Sequence, residues 1–96
     1  MSKTIIVFSM DGCTHCKSLK KRLTSEGLEY NEIEVLKNKS IWDSVVEQTK
    51  LDYVPTVFIR SEGSSNGPVF CPERDFENED ELLELIKFHL NEEKED

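Results

Sequence analysis

Four consecutive apolar residues, Ile5-Ile6-Val7-Phe8, preceded by Thr4, constrain this chain more than any other feature. A run that is apolar at every position, rather than at alternate ones, suits a strand covered on both faces, which belongs at the centre of a sheet flanked by helices. Asp11-Gly12 then turns the chain, and Cys16, Leu19 and Leu23 recur at three- and four-residue spacing with Lys17, Lys20, Lys21 and Arg22 between them. The pattern predicts an amphipathic helix from about 13 to 26, stopped by Gly27. Leu28 to Val35 reads as a strand whose alternation Asn31 interrupts. A second helix is expected from about 40 to 50 on Ile41, Trp42, Val45 and Val46, with Ser40 as N-cap. Val54-Pro55 leads into a second apolar run, Thr56-Val57-Phe58-Ile59. A Gly/Ser/Asn loop over 61–67 joins it to a short strand at Val69-Phe70-Cys71. The last helix runs from about 78 to 91 on Leu82, Leu83, Leu85, Ile86 and Leu90. A strand, crossover helix and parallel strand form a right-handed unit, and the later hairpin joins the same sheet. The expected fold is α/β with a mixed four-stranded sheet, and a chain of 96 residues gives one domain, 1–96.

Charge narrows the partners. Twelve basic residues against twenty acidic ones give a net charge of -8, which repels nucleic-acid backbones and anionic lipid surfaces. The acidity is concentrated at the end of the chain: residues 73–96 hold eleven acidic and three basic side chains. The apolar runs are far shorter than a membrane span or a secretory signal, so the sequence reads as soluble and cytoplasmic, with a monomer expected. Lys17, Lys20, Lys21 and Arg22 read as a solvated helix face able to attract an acidic partner. Asn91 to Asp96 reads as a frayed, solvating tail.

The three cysteines exclude a framework of several disulfides, and two of them are paired as Cys13-Thr14-His15-Cys16. Cys13 falls where a strand ends and a helix begins. The amides of a first helical turn lack intrahelical partners and the helix dipole is positive there, so both stabilise a thiolate. Cys16, one turn further on, is placed to attack a mixed disulfide formed at Cys13 and release the substrate. A zinc site also uses two cysteines at this spacing, but it wants four ligands and no second pair is present. No resident metal or other cofactor is expected.

Across nearly its full length the chain resembles the thioredoxin superfamily, most closely glutaredoxins. Ile5 to Ser9 before the motif, Cys13-Thr14-His15-Cys16, Val54-Pro55 ahead of an apolar strand, and Glu73-Arg74-Asp75 before the last helix carry the likeness. The resemblance implies a thioredoxin fold and a dithiol oxidoreductase that reduces protein or glutathione mixed disulfides. It also implies a cis peptide between Val54 and Pro55, with Val54 offering its backbone to a substrate. Thr14 and Lys17 would be further contacts, Asp75 would meet the glutathione amine, and glutathione would be the reductant. Disulfide-containing proteins are the implied partners, ribonucleotide reductase among them.

Two departures from the family pattern open alternatives. Thr14-His15 stands where glutaredoxins commonly carry Pro and Tyr, and an imidazolium at His15 would stabilise the Cys13 thiolate. The same position holds histidine in protein disulfide isomerases and periplasmic oxidases, so an oxidase is a rival reading. The missing proline leaves room for an iron-sulfur cluster held by Cys13 and glutathione across a dimer. Cys71-Pro72 stands where glutaredoxins have two glycines, crowding the approach of glutathione and removing an N–H. Phe70-Cys71-Pro72-Glu73 is similar instead to NrdH-type redoxins, which are reduced by thioredoxin reductase. Cys71 itself, with Trp42, Phe58, Phe70 and Phe88, reads as core.

Overall fold

The computed structural model describes residues 3–61 and 67–92. The elements are β1 (Lys3–Ser9), α1 (Thr14–Ser25), β2 (Tyr30–Glu34), α2 (Lys39–Thr49), β3 (Thr56–Ser61), β4 (Val69–Phe70) and α3 (Glu79–Glu92). The strands lie in the order β2-β1-β3-β4, with β1 parallel to β2, antiparallel to β3, and β3 antiparallel to β4. This is the mixed sheet of a thioredoxin fold. The body of the expected loop, 62–66, and the tail, 93–96, lie outside the described residues.

The run Ile5-Ile6-Val7-Phe8 takes a central place because successive side chains of a strand point to opposite faces, so each face receives apolar groups. Ile5 and Val7 join Val57 and Ile59 of β3 against Leu19 and Leu23 of α1 and Leu82, Leu83 and Ile86 of α3. Ile6, Phe8 and Phe58 face Ile41 and Val45 of α2 across a cleft of about 270 Å³. The second layer is the looser one: α2 contains no buried residue. Trp42, expected in the core, is half-buried with its ring centroid 5.6 Å from that of Phe8.

Local chemistry fixes the ends of α1. The Cys13 amide donates to the Met10 carbonyl at 3.2 Å, closing a turn in which Gly12 has φ 82°, a value glycine adopts without a steric penalty. At the other end the Leu28 amide donates to Leu23 and the Gly27 amide to Thr24, with Gly27 at φ 72°. This is the six-to-one and five-to-two pattern of a Schellman stop. The ion pairs Glu26–Lys87, at 2.6 Å, and Arg22–Asp80, at 3.0 Å, then link α1 to α3. Exposed pairs of this kind contribute about 0–1 kcal/mol, so packing carries the docking of the two helices.

The structure corrects three expectations. Asn38, not Ser40, is the N-cap of α2, and its side chain turns back to the Glu34 carbonyl at 2.9 Å. The second strand is shorter than 28–35, because Leu28 closes the stop of α1. Phe88 is 63% exposed rather than core. It lies two residues beyond buried Ile86, about 200° further round the helix, on the solvent side.

Leu19 has no exposed surface. Leu19→Ala should therefore cost about 2–5 kcal/mol in urea denaturation, whereas Phe88→Ala should stay within about 0.5 kcal/mol of the parent. Equal losses would contradict this division of the apolar residues.

Candidate active site

Cys13 is the N-cap of α1, and its sulfur accepts the Cys16 amide at 3.1 Å. Asn, Asp, Ser or Thr oxygens usually fill this role, satisfying an amide that has no partner inside the helix. Here a sulfur does so. No acidic residue lies in the first turn of α1, so no carboxylate there opposes negative charge on that sulfur. Cys13 and Cys16 are joined as a disulfide with Cα atoms 5.3 Å apart. Cys13 is half-buried, whereas Cys16 sits on the apolar stripe of α1 and is 1% exposed. The pair can thus cycle between dithiol and disulfide with one sulfur accessible and the other shielded.

Two clefts flank the motif. One, of about 270 Å³, lies between His15, the Tyr53-Val54-Pro55 segment, and Pro72, Glu73 and Glu77 ahead of α3. The Val54-Pro55 peptide is cis. Thr56, buried behind it, donates its hydroxyl to the Tyr53 carbonyl at 2.6 Å and so fixes the loop to β3. The other cleft, of about 230 Å³, is lined by Cys16, Lys17, Lys20, Ser9 and Glu32. There Glu32 accepts both the Lys20 ammonium at 2.7 Å and the Ser9 hydroxyl at 2.5 Å. The bond from Lys20, then that from Ser9, hold the Glu32 carboxyl below its ordinary pKa.

His15, Val54 and Pro55 thus meet in one cleft, while Lys17 lies with Cys16 in the other. Thr14 is on the exposed face of α1 with Lys17 and Lys21. The Asp75 carboxylate is engaged internally: it accepts the Cys71 amide at 2.8 Å and pairs with Arg74 at 2.7 Å. Cys71 is a buried free thiol just after β4.

The segment between β4 and α3 holds a feature that the sequence did not signal. Pro72 offers no amide, and the Glu73 amide donates to the Phe76 carbonyl at 2.9 Å. Glu73 itself has φ 69°, a left-handed conformation that costs a non-glycine residue about 1 kcal/mol or more. Tyr53, 44% exposed and lining the first cleft, was also missed; its place beside Val54-Pro55 was the available signal.

Comparison with known proteins agrees with this geometry. The sequence model of the glutaredoxin family matches residues 5–63. A wheat glutaredoxin structure is 27% identical, with TM-score 0.58 over 92% of this chain and 78% of that one. A buckwheat glutaredoxin in complex with glutathione is 29% identical, with TM-score 0.53 over 58% of this chain and 54% of that one, so the match spans about half of that relative's length. A malarial protein, 16% identical with TM-score 0.57, covers 94% of this chain and 99% of its own and shares the fold. A search of curated protein sequences gave no significant match.

The Glu32 network sets a pH dependence. A carboxyl whose folded pKa is lowered stabilises the fold above its unfolded pKa, and that contribution fades as pH falls through the folded value. Glu32→Gln should therefore be less stable than the parent near pH 7, and the difference should be smaller at an acidic pH, as protonation removes the carboxylate charge that Lys20 and Ser9 hold. Denaturant titrations at the two pH values check this; an equal difference at both would remove the charge of Glu32 as the cause.

Proposed function

Since the chain belongs to the glutaredoxin family, we propose that it is a dithiol thiol-disulfide oxidoreductase in which Cys13 attacks and Cys16 resolves. The Cys13 thiolate attacks one sulfur of a substrate disulfide, forming a mixed disulfide and expelling the other sulfur as a thiolate. Cys16, after losing its proton, attacks the Cys13 sulfur, forming the Cys13–Cys16 disulfide and expelling the second substrate thiolate. Two electrons pass from protein to substrate, and both released thiolates take up protons as their pKa values dictate. The observation that carries this reading is the Cys13 sulfur capping α1 at 3.1 Å from the Cys16 amide, with Cys16 shielded behind it.

Around that chemistry, His15 lines the cleft that would take the substrate, and the Val54 backbone beside Pro55 offers a strand-like edge to an extended peptide. The substrates are protein disulfides or glutathione mixed disulfides, with ribonucleotide reductase among the candidate clients. Glutathione as reductant is supported by the buckwheat relative, which is a glutathione complex. The Pro72 position, without an N–H, favours the second reading, in which thioredoxin reductase supplies the electrons as for NrdH-type redoxins.

Cys13→Ser should abolish turnover, while Cys16→Ser should accumulate a mixed disulfide at Cys13. Mass spectrometry after treatment with glutathione disulfide distinguishes them, and an adduct forming as fast on Cys16 in the first variant would reverse the assignment. The reductant is read from NADPH consumption when the oxidised protein is offered either glutathione with glutathione reductase or thioredoxin reductase. Turnover with glutathione is expected to be measurable; turnover only with thioredoxin reductase would move the protein to the redoxin reading. Pro72→Gly with Cys71→Gly should raise glutathione turnover if crowding is the restraint, and no gain would place the restraint in Cys13-Thr14-His15-Cys16.

A further inference from the structure

Charge is uneven around the motif. The cleft at His15 and Val54-Pro55 is lined by the carboxylate residues Glu73, Glu77 and Glu79 and, among the described residues, by no lysine or arginine. Glu79 is partly offset by Arg22 at 3.8 Å, while no ion pair among the described residues engages Glu73 or Glu77. The opposite cleft is mixed in charge: Lys17, Lys20 and Lys37 line it together with Asp11, Glu32 and Glu34, and Lys20 is bound to Glu32. The net charge of -8 adds a long-range field of the same sign as the first cleft.

Backbone donors at 71–73 do not reverse this polarity. The Cys71 amide is given to Asp75, Pro72 has none, and the Glu73 amide is given to Phe76. An entering carboxylate therefore meets like charge and finds no available N–H at these three positions. A glutathione unit carries two carboxylates and one ammonium, so it enters against the field. A lysine or arginine side chain enters with it.

Resting on the oxidoreductase reading above, we infer that the preferred substrate is a polypeptide disulfide flanked by lysine or arginine, with the basic flank over Glu73 and Glu77. Anionic disulfides, glutathione disulfide included, react without electrostatic assistance. The bond changes are those already given for Cys13 and Cys16; the carboxylates select the partner and take no part in electron transfer.

The test offers the reduced full-length protein three disulfide-linked peptide dimers, alike except for Lys, Ser or Glu beside the cysteine, together with glutathione disulfide. Each initial rate is divided by the rate of the same disulfide with dithiothreitol, which removes its intrinsic reactivity. The Lys-flanked peptide should exceed the Glu-flanked one by about tenfold or more at low ionic strength, and salt should bring the ratio toward unity. E73Q/E77Q should lower the ratio several-fold. E77Q alone should lower it part of the way, and its exposed side chain makes it a variant that keeps the left-handed Glu73 intact. Both rates come from one enzyme sample, so an inactive fraction cancels. Equal normalised rates for the Lys and Glu peptides, or a ratio unchanged in both variants, would overturn the inference. No reduction of any of the four disulfides by protein shown to hold reduced Cys13 and Cys16 would instead overturn the oxidoreductase reading beneath it.

Discussion

The hydrogen bond from the Cys16 amide to the Cys13 sulfur joins the chemistry of the motif to the architecture that holds it. For Cys13 to be an N-cap, the chain must leave β1 at Ser9, reverse over Asp11-Gly12 and enter α1 at Thr14. That path depends on β1 being clamped at the centre of the sheet, between β2 and β3, with α1 packed on Ile5 and Val7. The same stripe that docks α1 through Leu19 and Leu23 buries Cys16. One helix therefore supplies an accessible sulfur at its positive end and a shielded sulfur one turn later, with no further machinery needed to distinguish the two.

The acidic start of α3 acts on two levels. Glu79, Asp80 and Glu81 occupy its first turn, where negative charge is favoured by the helix dipole. Asn78 accepts the Glu81 amide at 3.0 Å, and the Glu81 carboxylate accepts the Glu77 amide at 2.7 Å, so one amide of the first turn and one just ahead of it are satisfied locally. One of these first-turn residues, Glu79, lines the cleft at the cis-proline loop, with Glu73 and Glu77 ahead of the helix, and the cleft takes their charge. The lysine-bearing face of α1 lies away from that cleft. A site built in this way differs in polarity from one side of the motif to the other.

Much of this was legible in the chain because it is written in short-range patterns. The apolar run at 5–8, the glycines at 12 and 27, and the cysteine pair between them specify β1, the turn, α1 and its end through local sterics and amphipathicity alone. Asp75 was harder: its carboxylate is taken by the Cys71 amide and Arg74, a turn closed by residues whose side chains give no spacing signal. Glu73 was invisible for a related reason, since a left-handed glutamate is chosen by the surrounding turn rather than by its own preference. Phe88 was legible in principle: its angular offset from Ile86 places it on the solvent side, yet its apolar character alone suggested core. The half-buried face of α2 depends on how it settles over Ile6 and Phe8, which only the tertiary arrangement decides.

The most direct measurement is a pH titration of the reduced protein, following the ultraviolet absorbance of the thiolate in the parent, in Cys13→Ser and in Cys16→Ser. If the start of α1 stabilises the Cys13 sulfur, one thiol ionises below about 8.5, the value of an unperturbed cysteine. That transition persists in Cys16→Ser, whose residue 16 amide remains a donor, and disappears in Cys13→Ser. A parent with no thiol ionising below that value, or a low transition that survives in Cys13→Ser, would contradict the placement of the nucleophile at the head of α1.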